Sequence, residues 1–460
     1  MKKLNEMDNQ DFLQIEYISK SYNESSIPLY ISYPTLTCWK NNSDENNYIE
    51  GIKNENNPFL YFHFPYCKSA CYYCLCYKIT GSAEETIDKY LDYMEKEIDL
   101  KSRFMPKDNM SVTQMHWGGG TPTNLTMRQL ERIYRKISDN FNIVSDKNSS
   151  ISIESYPDDT LITFEKLRLL KDLGFTEISF GIQDFDERVQ KIINRDCKFE
   201  VVEKLFNEAR RIGLRIHVDL CYGLPFQDMT GLKNTLEKIV RLQPDRIAME
   251  NYSHFPAFYP LQRKIPTDSV PNSFMRIVLS ILAKEVLTEN NYIRIGDHYV
   301  RKGNLMHQAF IENRINRDLM GYSIADRRQV IAFGSSGISC INNTYYHNKK
   351  LIEDYFSELD KNELPLEKSE SHKLDQDDKI RASIILKWLL TYYQIDKDAV
   401  SKEFNINFDE YFKEELKQLN RFEKDGIILC DGNKILITEM GEFTAKHVAF
   451  VFDKYYRKDI

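Results

Sequence analysis

The sequence predicts an α/β fold with at least six βα repeats, an N-terminal arm and a mostly helical C-terminal domain. Three observations predict it. From Phe59 to about Glu250, short apolar runs alternate with amphipathic stretches, the pattern of βα units on a parallel sheet. Residues 1–57 are polar and Asn-rich apart from a short apolar patch from Ile27 to Trp39, and read as an arm rather than a core. Beyond about Lys350 the chain becomes helical and charged. The expected division is an arm at 1–57, a barrel core with its extension at 58–349 and a separate cap at 350–460.

The expected strands are Leu60 to Phe64, Val112 to Trp117, Ile151 to Glu154, Glu177 to Gly181, Ile216 to Leu220 and Arg246 to Asn251. Between the first two, Ile87, Leu91, Met94 and Ile98 recur at helical spacing. Thr126 and Gln129 form a capping-box pattern ahead of Leu130, Ile133, Tyr134 and Ile137, which starts the next helix. Phe164, Leu167, Leu170 and Leu173 make a third helix, stopped at Gly174, where a left-handed residue costs least. Near the end, Gly426 to Thr438 reads as a small hairpin before a last helix. Repeats of this kind build an open or closed barrel whose functional loops lie at the C-terminal ends of the strands.

Composition narrows the function. The chain has 42% hydrophobic and 28% charged residues and no apolar run approaching the roughly 20 that a membrane span needs. No apolar stretch follows the basic N-terminal residues, so a cytoplasmic location is expected. A net charge of −7 argues against nucleic acid and for a small-molecule substrate. Of nine cysteines, four crowd between 67 and 76, while Cys38, Cys197, Cys221, Cys340 and Cys430 are scattered and read as small hydrophobes. A reducing compartment disfavours disulfides, so the crowded four need another role.

Cys67-x3-Cys71-x2-Cys74 supplies three soft thiolates, ligands for an iron-sulfur cluster or zinc. Three ligands on a [4Fe-4S] cluster leave one iron open, whereas Cys76 as a fourth would close the cluster or complete a zinc site. Gly118-Gly119-Gly120-Thr121 follows a strand and reads either as a tight turn or as a loop whose N–H groups a ligand can reach. Glu154 either accepts hydrogen bonds from a ribose or caps a helix. Gln183, Arg195 and Asp219 are polar groups on the same rim, each structural or functional. His63 reads as a hydrogen-bonded core histidine. Asp297-His298 is either a carboxylate–histidine pair near a substrate or a solvated loop.

The run Tyr61-Phe-His-Phe-Pro-Tyr-Cys67, continued by Cys71, Tyr73-Cys74 and Cys76, resembles the signature of the oxygen-independent coproporphyrinogen III oxidases, which are radical S-adenosylmethionine (SAM) enzymes. The similarity extends through His116 to Thr123, Gly181 to Phe185, Asn194-Arg195, Asp219 to Pro225, Pro244 to Arg246, Asn251-Tyr252 and Gly334 to Ser339, and reaches the arm at Tyr30 to Thr35. It implies a radical SAM partial (β/α)6 barrel, a [4Fe-4S] cluster on Cys67, Cys71 and Cys74 with Cys76 outside it, and two SAM molecules. Tyr61, Gly119, Glu154 and Ile338 would surround the first SAM; Tyr73, Gly120, Thr121, Gln183, Arg195, Asp219 and Ser253 would hold the second. It further implies that a 5′-deoxyadenosyl radical takes hydrogen from a propionate of coproporphyrinogen III, and that loss of carbon dioxide and an electron leaves a vinyl group, twice per molecule. The partners implied are a tetrapyrrole substrate and an electron donor such as flavodoxin or ferredoxin, with the protein a monomer.

The sequence departs from that pattern. Ser155, Tyr156, Pro157 and Asp158 stand where the oxidases usually have an acidic residue before the proline and an arginine after it. Ser253 replaces a usual alanine, and Leu29 a common arginine. Relatives with the same cofactors include radical methyltransferases, anaerobic haem-degrading enzymes and haem chaperones; the arm and the long C-terminal region argue against the chaperones.

Overall fold

The computed structural model describes residues 3–22, 27–106, 110–324 and 329–456. Its centre is a sheet of strands β1 (Phe59–Phe64), β2 (Gln114–Gly119), β3 (Ser150–Ser155), β4 (Glu177–Gln183), β5 (Arg215–Tyr222), β6 (Arg246–Asn251), β7 (Tyr292–Ile295), β8 (His298–Arg301), β9 (Val330–Phe333), β10 (Ile338–Ile341), β11 (Thr344–Asn348) and β12 (Leu366–Lys373). The twelve strands run in the order β12-β11-β10-β9-β1-β2-β3-β4-β5-β6-β8-β7, so the barrel is open. Strands β1 to β6 lie side by side in chain order and pair in parallel. Strand β9, which the sequence did not signal, adds a further parallel strand beside β1. Antiparallel strands flank this block on both sides.

Side-chain alternation sorts the two faces of the parallel block. One set, including Phe62, Trp117, Ile153, Phe180, Val218 and Ile247, joins the helices in the main apolar core. The other set is polar, and the register lines it up across neighbours: Tyr61 beside His116, His116 beside Ser152, Glu154 beside Ser179 and Gly181 beside Asp219. The helices follow local rules. Helix Met127–Asn140 has the full capping box, with Thr126 N–H donating to Gln129 at 2.9 Å and Gln129 N–H to Thr126 at 3.3 Å. Helix Phe164–Asp172 ends ahead of Gly174, whose φ is +99°.

Several boundaries shift. The second strand begins at Gln114, and Val112 forms only a bridge to Ile143. The division expected at 349–350 falls inside one structure, because helix Ile352–Asp360 packs on helix Glu84–Ser102 and β12 continues the sheet. The helical unit begins at Gln376, and its small sheet contains the hairpin Ile428–Asp431/Lys434–Ile437 ahead of helix Ala445–Val451. The N-terminal segment lies over the C-terminal unit and contributes to its core. Ile15, Ile18, Tyr30 and Tyr33 are fully buried in the apolar core of the C-terminal unit. Tyr30 donates to Asp453 at 2.9 Å, and residues 41–43 pair with the open edge of β12 through Ser371 and Lys373. A chain rich in Asn and Ser can still bury aromatic residues spaced a few positions apart.

Two fully buried charges in the core are held by one network. Glu97 and Lys101, both fully buried, pair at 2.6 Å. Glu97 also accepts from Gly334 N–H, Asn348 and Tyr355, at 2.6 to 2.8 Å, and Lys101 donates to the Ala332 carbonyl at 2.6 Å. The network joins helix Glu84–Ser102 to the turn after β9.

Candidate active site

At the C-terminal ends of β1 to β6 lies an open cleft of about 360 Å³. The structure brings together on its walls Cys67, Cys71, Cys74 and Cys76 from the loop after β1, Gly119 to Thr121 after β2, Glu154, Gln183, Asp219 and, from the loop 193–197, Arg195. Tyr73 also lines it. Three expected residues stand elsewhere. Tyr61 is buried on β1 beneath the cleft, its hydroxyl 2.9 Å from His63 Nδ1 and its ring stacked on His116. Ile338 opens β10. Ser253 lines a neighbouring cavity and is tied to the cysteine loop only through Gln262, whose amide donates to the carbonyls of Ser253 and Tyr73 at 3.0 and 3.1 Å.

The glycine run serves the cysteine loop. A Cβ on Gly120 would sit 2.7 Å from the Pro65 backbone and 2.8 Å from the Phe64 carbonyl oxygen, so only glycine allows this approach. The Gly120 and Thr121 N–H groups donate to the carbonyls of Phe64 and Tyr66 at 2.8 and 3.1 Å. Those N–H groups are therefore taken, and what the loop offers a ligand is its carbonyls and the Thr121 hydroxyl. That hydroxyl donates to Cys67 Sγ at 3.5 Å.

Arg195 is locked from several sides. Asn194 and the Ile193 carbonyl bond the cysteine loop at Ala70 and Tyr72. The Arg195 guanidinium donates to the Gly181 carbonyl and to Cys71 Sγ, the latter at 3.2 Å, and lies 4.3 Å from the centre of the Tyr156 ring. Tyr156 is one of the residues that depart from the oxidase pattern, and its ring meets the guanidinium in a cation–π contact. Its hydroxyl also accepts from Asp196 N–H at 2.9 Å. Asp158, the other departure, pairs with Lys68 at 2.8 Å. Gln183 has a φ of 71° where β4 shifts register, a strained backbone of the kind that gathers at functional sites.

No local motif marks Lys78, which donates to the Cys74 carbonyl at 3.2 Å, or Glu250 on β6, which also lines the cleft. A hydrogen bond from Cys76, with Lys78 nearby, draws the Cys74 thiol down to about 6, while burial pushes Cys67 up to about 11. Among the described residues, no three His, Cys, Asp or Glu side chains gather closely enough for a lone metal ion. Thiols spread around a cleft, with N–H and O–H donors on two sulfurs, suit a cluster whose ligands bind different irons.

Electrostatics separate the polar ring. His116 Nε2 lies 3.1 Å from Glu154, which caps no helix. His63 is held neutral by burial, which lowers it to about 4. Asp297-His298 is not a solvated loop: His298 pairs on β8, and Asp297 meets Arg317 at 3.3 Å. Burial, with Glu154 nearby, pushes the Asp219 carboxyl up to about 6 despite a 3.1 Å bond from Ser179. Between about pH 4 and 6 the folded protein therefore holds a proton that the unfolded chain has released, and this contribution to stability is lost as pH rises through 6. In cofactor-free protein, Asp219→Asn should flatten that part of the stability–pH curve measured by denaturant unfolding; an unchanged slope would contradict the assignment.

A family model described as the Radical SAM superfamily matches residues 61–239. The oxygen-independent coproporphyrinogen III oxidase of Synechocystis sp. is 32% identical over 456 residues, 96% of both chains. That of Escherichia coli K12 is 33% identical over 445 residues, 95% of both.

The chain belongs to the oxygen-independent coproporphyrinogen III oxidase family.

The solved coproporphyrinogen III oxidase of Escherichia coli, described as a radical SAM enzyme, superposes with a TM-score of 0.86 at 32% identity, covering 93% of this chain and 97% of that one. As a member of the oxidase family, the protein is a radical SAM oxidoreductase whose cofactors are a [4Fe-4S] cluster and SAM. No helix among the described residues is long and apolar enough to cross a membrane.

Proposed function

We propose that the protein catalyses the oxygen-independent oxidative decarboxylation of two propionates of coproporphyrinogen III to vinyl groups in anaerobic haem synthesis. The observation that carries this reading is likeness along the whole chain, 95% of it to the Escherichia coli oxidase, so that arm and C-terminal unit match along with the barrel. When bound, the cluster and SAM supply hydrogen-atom abstraction from a substrate carbon. Cys67, Cys71 and Cys74 would ligate three irons, leaving the fourth open, with Cys76 outside.

The first SAM would lie near Tyr61, Gly119, Glu154 and Ile338, and the second against Tyr73, Gly120, Thr121, Gln183, Arg195, Asp219 and Ser253. In this reading Arg195, held by Gly181 and Tyr156, keeps a fixed cation against the cluster edge. The His116–Glu154 contact fixes the carboxylate for a ribose. The electron donor is a flavodoxin or ferredoxin, and the enzyme acts as a cytoplasmic monomer.

The test is anaerobic incubation of reconstituted protein with SAM, a reductant and coproporphyrinogen III, followed by mass analysis. Two losses of carbon dioxide are expected. A methylated product, or tight haem binding without turnover, would refute the oxidase reading.

A further inference from the structure

A second cavity, of about 220 Å³, opens beside the cleft where the C-terminal unit and the N-terminal segment meet the barrel rim. Its walls are amphiphilic. Ile27, Leu29, Phe255, Ile277 and Phe443 give it apolar surface, while Arg276 and Lys446 give it positive charge. Among the described residues no Asp or Glu lines it, although the chain has 69 such residues against 62 Lys and Arg.

Among the described residues neither cation forms an ion pair with a carboxylate. Arg276 is braced by two backbone carbonyls, Nε donating to Pro271 at 3.0 Å and Nη1 to Tyr252 at 2.9 Å. A guanidinium has five N–H donors, so three remain for a ligand, on a group already fixed in orientation. Lys446, half-buried, makes no hydrogen bond or ion pair among the described residues. Its ammonium feels the Glu250 and Asp297 carboxylates at longer range and keeps its N–H donors for a ligand.

The cavity adjoins the reaction site. Asn251 and Tyr222 line it, and Glu250 and Leu220, on the same two strands, line the cysteine cleft. Lys446 acts electrostatically on Glu250.

We infer that this cavity seats propionate side chains of the tetrapyrrole, with Arg276 and Lys446 as their cationic partners. An apolar macrocycle carrying carboxylates matches walls that are apolar with two cations, and Arg276 can grip a carboxylate with two N–H donors. The inference rests on the proposed substrate. The chain offers one other source of carboxylate, the methionine end of SAM, and the experiment separates the two.

The reconstituted holoenzyme is titrated anaerobically with coproporphyrin III, with its tetramethyl ester and with SAM, for the parent and for Arg276→Gln, Arg276→Lys and Lys446→Gln. Far-UV circular dichroism and cluster absorbance report folding, and Lys446→Gln, which breaks no internal bond, guards against a folding artefact at Arg276. Each neutral variant should bind coproporphyrin III roughly tenfold or more weakly. Arg276→Lys should recover part of the loss, the ester should not distinguish parent from variants, and KM for coproporphyrinogen III should rise more than kcat falls.

If the parent converts coproporphyrinogen III while both neutral variants bind coproporphyrin III normally, the inference falls and the proposed reaction stands. If SAM affinity drops instead, the cations belong to SAM and the inference falls. If the variants lose coproporphyrin III but the parent makes no vinyl product, the site stands and the reaction reading falls. A parent that neither binds nor converts would overturn both.

Discussion

Replacing Cys71 by alanine is expected to abolish both the visible absorption of the cluster and the formation of 5′-deoxyadenosine. Two remaining thiolates cannot hold three corners of a [4Fe-4S] cluster, and Arg195 loses the sulfur its guanidinium now meets at 3.2 Å. The measurements are iron content, absorbance after anaerobic reconstitution and chromatographic assay of the nucleoside. Retained turnover would refute the ligand assignment. Cys76→Ala is the contrasting variant, expected to keep iron content near that of the parent, because Cys76 is an exposed residue beyond the three ligands.

Lys101→Met should be the most damaging change to stability outside the site, at about 3–5 kcal/mol. It strands the Glu97 carboxylate in a fully buried position, where water cannot replace the lost ammonium. Denaturant unfolding of the cofactor-free protein measures it. Lys101→Met combined with Glu97→Gln should be less destabilised than Lys101→Met alone, since the neutral amide keeps an acceptor for Gly334, Asn348 or Tyr355 without a lone charge. The reverse order would mean that the hydrogen bonds, not the charge, dominate.

Features written in neighbouring residues were legible in the sequence. The capping box of Thr126 and Gln129, the stop at Gly174 and the six parallel strands all depend on spacings within one element or one turn. So did the gathering of Cys67, Glu154, Gln183 and Asp219, because consecutive parallel strands end on one rim. What stayed hidden joins residues far apart in the chain. Strand β9 pairs with β1 across 271 positions and carries no local mark of that partner. Gln262 reaching Tyr73, and Arg276 and Lys446 sharing a cavity, are likewise products of tertiary folding. The glycine run reads in the sequence as a tight turn or as a loop open to a ligand; in the structure Gly120 lies against the protein's own backbone.

The docking of the first residues against the last has a consequence in time. Tyr30 meets Asp453, 423 positions later, and Ile15 and Ile18 lie in a core built largely from residues beyond 376. A ribosome releases this segment well before its seat, so on the growing chain it has nowhere to settle until residues beyond 376 have emerged. The parallel strands β1 to β6, complete by residue 251, have their neighbours available much earlier. The nascent protein thus has an interval in which the cysteine loop already exists while the wall formed by the two chain ends does not.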